Sequence, residues 1–400
     1  MIKKITKRVF VSLLKRFDRP VIVAGSGINI SNTKKDLLKF VKKYKIPVVT
    51  AWAHDAFPNY NDYYYGRQGS IGNRVGNFIV QNSNLVFILG SRLSIRQTSY
   101  NWKSFAKKAF KVWVDIDKFE LNKTTVNANI KISTSLEKFF KDINKFNLSY
   151  KISDKWIGWC NDIRSRFSPK KKDYKSNGKY PNVYHFIIDL FDQMHGDEII
   201  VCADGAATVV PSQVGYLKGN CRLIYNSGCA SMGYELPATI GVSSYTNNKK
   251  IICLAGDGSI MMNIQELQSI SRIKKNIIIF IINNDGYLSI KQTQKNFFNN
   301  EFGASSKSNL LFPNFKKIAH SYNIEYVSLN KNYKNKLKSL IKRKKNKPII
   351  AEIKVSLNQE FEPRLKSQFI KGKIFTPELD DMHPFISRNE YKDIKSKINN

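Results

Sequence analysis

Four hundred residues, 42% hydrophobic and 12% aromatic, supply apolar material for two or three buried cores. No uninterrupted apolar run approaches the ~18 residues that a membrane span requires, so a spanning helix is not expected. The formal net charge of +35 comes overwhelmingly from lysines spread along the chain, not from Arg, Lys and aromatics gathered on one element. That excludes a nucleic-acid footprint and describes a solvated surface that can draw in anionic substrates.

Five cysteines (Cys160, Cys202, Cys221, Cys229 and Cys253) are odd in number and lack metal-like pairing, so they read as reduced thiols of a cytoplasmic protein. Lys15 and Arg16 interrupt the apolar stretch 9–14, which argues against a signal peptide. The five histidines show no metal spacing and read as packing or surface residues.

In chain order, a basic helix is expected at 5–17 and a buried strand at 20–24, ending in Gly25-Ser26-Gly27. A helix at 34–44 and strands at 47–50, 85–90 and 111–117 follow. Strands alternating with helices at this rhythm predict a parallel α/β sheet over residues 1–165. Alone, Gly-Ser-Gly is more often a tight turn than a nucleotide site. Residues 166–182 are polar, basic and aperiodic, the pattern of a linker. The second domain, 183–375, opens with a helix at 183–194 and a strand at 198–202 that ends in Asp204-Gly205-Ala206-Ala207. Residues 376–400 read as a tail.

The most informative stretch is 251–287. A short strand, 251–254, runs into the turn Gly256-Asp257-Gly258, and Ile260, Ile264, Leu267 and Ile270 then recur at helical spacing, so a helix is expected to open at Ser259. A second apolar strand, 276–282, ends in Asn283-Asn284. Parallel strands joined by a helix place both ends on one edge, where α/β proteins bind ligands. The Asp257 carboxylate, the Asn284 amide and the Gly286 carbonyl are hard oxygen ligands suited to Mg²⁺. Free N–H groups at Ser259, and at 205–207 beside it, would face phosphate. An ordinary buried βαβ unit is the plainer alternative.

Gly-Asp-Gly followed at this spacing by Asn-Asn resembles the thiamine-diphosphate motif of the acetolactate synthase and pyruvate decarboxylase superfamily. The resemblance implies an α/β protein of two doubly wound parallel-sheet domains, a central one and a diphosphate-binding one. It implies Mg²⁺ on Asp257, Asn284 and Gly286, and cofactor contacts from Gly205, Ala206, Ala207, Ser231, Met232, Gly256, Gly258, Ser259 and Tyr287. Met232 matches the large apolar residue that holds thiamine diphosphate bent. In the first domain, Ala24 to Gly27, 46–50, Gly66 to Gly72, Gly90-Ser91-Arg92 and Asp115-Ile116-Asp117 occur in the order of the family's central domain. There the resemblance implies FAD, structural rather than redox-active, at Gly25, Gly27, Gly90, Arg92 and Asp115, although some relatives keep the fold and lose the flavin.

Residues 287–298 and 360–385 look like members of the family encoded with surface-polysaccharide genes. Thr293 stands where acetolactate synthase has a Trp that screens the second substrate, which implies room for a bulkier acceptor. The family's pyrimidine-binding domain, with its activating glutamate, finds no match, and residues 1–20 contain no Glu. The expected activity is decarboxylation of a 2-keto acid and transfer of its acyl group to an acceptor carbonyl. A separate pyrimidine-domain polypeptide and a homo-oligomer are the implied partners. The alternative is a truncated, non-catalytic cofactor-binding or assembly protein.

Overall fold

The computed structural model describes every residue except Ala53, Asn177, Gly178, Asn248, Lys371 and Asn400, so two positions of the expected linker lie outside the described residues. The chain divides into two compact units, Met1–Lys172 with Glu362–Asn400, and Asp173–Phe361. Among the described residues no helix is long and apolar enough to cross a membrane.

The first unit is built on six strands: β1 (Pro20–Ala24), β2 (Val48–Thr50), β3 (Tyr64–Arg67), β4 (Leu85–Leu89), β5 (Phe110–Asp115) and β6 (Ile130–Ser133). They pair in parallel in the order β3-β2-β1-β4-β5-β6, so the order reverses between β1 and β4. Both central strands are buried along their whole length, as helices on both faces of a parallel sheet require. Backbone passes close to backbone at the reversal. A Cβ on Gly25 would collide with the Gly90 carbonyl, and one on Gly27 would stand 2.7 Å from Gly90 Cα.

The residues expected as a separate tail return to this unit. Leu379, Ile394 and Ile398 join the core that holds Trp113, Trp156 and Trp159, and the Trp159 indole donates to the Ile394 carbonyl at 3.0 Å. These apolar side chains need cover that an isolated tail lacks, and burying each is worth roughly 1.5–3 kcal/mol. The break at 172/173 falls inside the expected linker, 166–182, whereas the return to the first unit comes at 361/362, ahead of the expected 375.

The second unit has a parallel sheet of β7 (Ile199–Cys202), β8 (Arg222–Ile224), β9 (Ile251–Gly256), β10 (Ile277–Asn283), β11 (Glu325–Leu329) and β12 (Ile349–Lys354), in the order β11-β12-β10-β9-β7-β8. Its order reverses between β7 and β9. The near-continuous apolar content of β9 and β10, rich in Ile, follows from burial on both faces.

Glycine substitutions report on the close approach in the first unit. Gly25→Ala should cost about 1–3 kcal/mol or more, since backbone and not a flexible side chain blocks the new methyl. Gly158→Ala, in an exposed helical turn with nothing within 4 Å of the new Cβ, should gain ~0.5–1 kcal/mol. Urea unfolding of both variants checks this; equal stabilities would mean that the approach at Gly90 is looser than described.

Candidate functional site

In doubly wound sheets a crevice opens at the carboxyl ends of the strands where the order reverses. In the second unit that point lies between β7 and β9, which pair through Cys202 and Leu254. At the end of β7, Gly205 adopts φ +64, a left-handed value that glycine tolerates best, and no atom lies within 4 Å of where its Cβ would stand. The helix Ala206–Val214 starts there, leaving its first N–H groups without intrahelical partners. Thr208 holds the turn by donating its hydroxyl to the Ala203 carbonyl.

Asp257 follows the end of β9 and is only 1% exposed. Its Oδ1 accepts from the Gly258 N–H at 2.8 Å and its Oδ2 from the Gly286 N–H at 3.1 Å. The carboxylate thereby joins the end of β9 to the loop after β10. Burial pushes the Asp257 carboxyl up to about 7, against the pull of these N–H groups and of Lys291. Asn284 is buried beside it, with an amide nitrogen that has no partner. A half-turn of that amide would place its oxygen in the same position. The Lys291 ammonium donates to the Asn284 carbonyl at 3.3 Å. Two glycines let the loop close: a Cβ on Gly258 would collide with the Tyr287 ring, and one on Gly286 with the Ala304 carbonyl. The structure thus brings Asp257, Asn284 and Gly286 together. A buried carboxylate, a buried amide and a backbone carbonyl fit a hard divalent cation, which would also offset the burial of the carboxylate's charge.

The segment after β9 departs from expectation. No regular helix opens at Ser259; a 3-10 stretch, Ile260–Glu266, precedes a short helix, Leu267–Ser271, and Asn263 within the stretch is non-helical at φ −137, ψ 36. The cause is lateral. The Asn263 amide donates to the Gly233 carbonyl at 3.0 Å, pulling the turn sideways. Ser259 is tied to the same neighbour, accepting from the Gly233 N–H at 2.9 Å and donating to Glu235 Oε2 at 3.1 Å. Its hydroxyl is therefore engaged within the protein. Met232, just before this clamp, is 37% exposed. Ser231 is exposed nearby and accepts from the Asn226 amide at 3.3 Å.

Glu235 is a further buried acid at this clamp. It opens the helix Glu235–Tyr245, fully buried, with one carboxyl oxygen on Ser259 and the other without a partner. Burial pushes it up to about 7, opposed by the Ser259 hydroxyl and reinforced by Asp204. An acidic residue in a first helical turn is ordinary in sequence, so nothing marked this one.

The residues singled out in the first unit all have local duties. Gly25, Gly27 and Gly90 pack on one another. Arg92 pairs with Glu120 at 2.7 Å, and Asp115 accepts from the Asp117 N–H at 3.0 Å.

The Glu235 carboxyl gives a pH test. Its folded value lies above the ordinary carboxylate range, so between that range and about 7 the unfolded chain has released a proton that the folded protein retains. Its contribution to stability therefore falls as pH rises through that window. Glu235→Gln keeps an acceptor for Ser259 and cannot ionise, so from pH 5 to pH 8 it should gain on the order of 2–3 kcal/mol relative to the wild type. Urea profiles at the two pH values measure the difference; parallel profiles would place the ionisation elsewhere. Asp204, Cys202 and Cys253, which face this carboxyl, are present in both proteins.

Comparison with known proteins agrees with this geometry. Residues 8–143 match the family model described as thiamine pyrophosphate enzyme, central domain, and residues 205–353 match thiamine pyrophosphate enzyme, C-terminal TPP binding domain. The chain is 27% identical over 363 residues to the acetolactate synthase large subunit of Buchnera aphidicola subsp. Schlechtendalia chinensis, covering 88% of this chain and 62% of that protein. It is 28% identical over 372 residues to the acetolactate synthase large subunit of Lactococcus lactis subsp. lactis (strain IL1403), covering 91% and 63%. It is 27% identical over 387 residues to that of Porphyra purpurea, covering 94% and 64%. The chain thus spans less than two thirds of the length of these relatives. With both domain models matched on two parallel six-stranded sheets, the chain belongs to the thiamine pyrophosphate enzymes.

Proposed function

We propose that the protein is a thiamine-diphosphate- and Mg²⁺-dependent carboligase of the acetolactate synthase type, acting with a pyrimidine-binding domain carried outside these 400 residues. The observation that supports this most is the buried Asp257 carboxylate, fixed by the Gly258 and Gly286 N–H groups beside the reversal between β7 and β9. Asp257, the Asn284 amide oxygen and the Gly286 carbonyl would hold Mg²⁺, a hard cation suited to such oxygens. The N–H groups of Ala206 and Ala207, freed by the turn at Gly205, would meet the diphosphate. Gly256, Gly258 and Tyr287 shape the metal turn. Ser259, its hydroxyl engaged, would contribute only its N–H. Met232, with Ser231 beside it, would support the thiazolium.

Thiamine diphosphate, when bound, would supply the carbanion chemistry for decarboxylating a 2-keto acid and transferring its acyl group to an acceptor carbonyl. The chain's own part is to hold the diphosphate end rigidly and to present the acceptor. Exposed apolar side chains on the segments that carry the site (Met232, Met262, Ile290, Phe298 and Phe302) support cover by a second protein surface. That surface would be the pyrimidine-binding domain, in an assembly of at least two chains. The Thr293 hydroxyl folds back onto the Ser289 carbonyl at 2.9 Å, a small side chain that leaves its helix face open. This supports a bulky acceptor, a keto-sugar nucleotide, whose anionic charge the lysine-rich surface would attract. The buried thiols of Cys160, Cys202, Cys221 and Cys253 suit a reducing cytoplasm. Flavin stays outside the proposal, because each residue that would hold it has a partner in its own unit.

Calorimetry should find thiamine diphosphate binding only with a divalent metal, and Asp257→Ala should weaken it by about 100-fold or more, since a metal ligand is lost and not merely a supporting residue. Unchanged affinity in that variant would remove the metal site from Asp257. The purified protein should show no flavin absorbance even after soaking with FAD; flavin bands would return Gly25, Gly27, Gly90, Arg92 and Asp115 to cofactor binding. With pyruvate, the chain alone should lack the ~10²–10⁴-fold contribution of acid–base activation, and a pyrimidine-domain protein should restore it. Rapid CO₂ release by the chain alone would contradict the proposed division of the site.

A further inference from the structure

The helix Leu288–Phe298 carries Thr293 on one face and, on another, Leu288, Lys291, Gln292 and Lys295 at spacings of three and four. Between this second face, residues 299–301 and residues 357–360 lies a cavity of about 410 Å³. That lies within the range of small-molecule sites. Gln292 is 6% exposed, and neither its amide oxygen nor its amide nitrogen has a partner. Gln359, 7% exposed, accepts from the Val183 N–H at 3.0 Å and leaves its own amide nitrogen without a partner. Buried polar groups are almost always satisfied, and a leucine would fill the Gln292 position without that cost. Two orphaned amides on one cavity therefore point to a ligand and not to packing.

The chemistry of the lining narrows the ligand. An amide presents a donor and an acceptor side by side, the pattern that vicinal hydroxyls match. Lys291 and Lys295 add ammonium groups for an anion, and of the two acids on the wall Glu301 is already engaged by the hydroxyls of Ser305 and Ser308. Among the described residues no aromatic side chain lines the cavity to stack on a nucleobase. The Lys291 ammonium also reaches the Asn284 carbonyl at 3.3 Å, so the cavity adjoins the metal loop.

We propose that this cavity binds the glycosyl phosphate portion of an anionic sugar substrate, with Gln292 and Gln359 on the sugar hydroxyls and Lys291 and Lys295 on the phosphate. The assignment rests on the acceptor class proposed above and adds the residues that recognise it.

The test is calorimetry of the full chain with glucose 1-phosphate, UDP-glucose, free glucose and inorganic phosphate, with thiamine diphosphate and Mg²⁺ titrated into the same preparations. Both glycosyl phosphates should bind more tightly than glucose or phosphate alone. Gln292→Leu should weaken them at least tenfold, and Lys295→Ala several-fold with a reduced salt dependence. Cofactor affinity should be the same in both variants. Gln292→Leu should melt at or above the wild-type temperature, because it removes an unpartnered buried amide. Tighter binding of UDP-glucose than of glucose 1-phosphate would mark a nucleotide-linked source, and equal binding a free sugar phosphate. Glycosyl phosphates that fail to bind, or that bind the Gln292→Leu protein as well as the wild type, would overturn the site whether or not the cofactor binds. Loss of cofactor binding with sugar binding intact would count against the proposed reaction and leave this cavity assigned.

Discussion

A carboxylate buried between two strand ends is costly unless something fixes it, and at Asp257 two backbone N–H groups do so, one from each strand's following turn. The register of β9 on β10 aligns Gly256 with Ile282, so the residues that follow each strand necessarily meet. Once Asp257 bridges them, the loop after β10 has little freedom. Gly258 yields its side-chain space to the Tyr287 ring, and Gly286 yields its own to Ala304. The Tyr287 N–H completes the closure by donating to the Ala304 carbonyl at 2.9 Å. The geometry of this turn follows from these constraints and needs no ligand to set it.

A second clamp joins this turn to the segment that carries Met232. Ser259, two residues beyond Asp257, bridges the Gly233 N–H and the Glu235 carboxyl, and Asn263 takes the Gly233 carbonyl. Gly233 is thus held through both its N–H and its carbonyl, and a Cβ there would stand 2.7 Å from that of Met262. The Met232 side chain, 37% exposed, extends from this doubly held base. The cost is a carboxyl buried at Glu235 and a helix broken at Asn263. Broken local rules at a site of this kind are expected where geometry is selected over propensity.

Much of this was legible in the residues. Alternating strands and helices predict the two parallel sheets, and the Gly-Asp-Gly and Asn-Asn pairs sit where apolar strands end, because that grammar is local. What stayed hidden depends on contacts far apart in sequence. The period of Ile260, Ile264, Leu267 and Ile270 suggests one helix, and it cannot register that Asn263 bonds a carbonyl thirty positions earlier. The return of Leu379, Ile394 and Ile398 to the first core is equally non-local. Glycines mislead for another reason. Gly205 has open space where its side chain would be, whereas Gly25 and Gly27 face the backbone at Gly90. A sequence cannot tell a glycine that admits a ligand from one that admits the chain.

The contrast between the two strand-order reversals carries the functional argument. In the first unit, backbone fills the space beside the glycines at the reversal; in the second, a left-handed glycine leaves open space at the start of a helix. The most direct test is a crystal structure with thiamine diphosphate and Mn²⁺ in place of Mg²⁺, read by anomalous scattering. The account predicts one strong peak within bonding distance of the Asp257 carboxylate, the Asn284 amide oxygen and the Gly286 carbonyl, bridged to the diphosphate. A diphosphate bound elsewhere, or a metal peak away from Asp257, would contradict it.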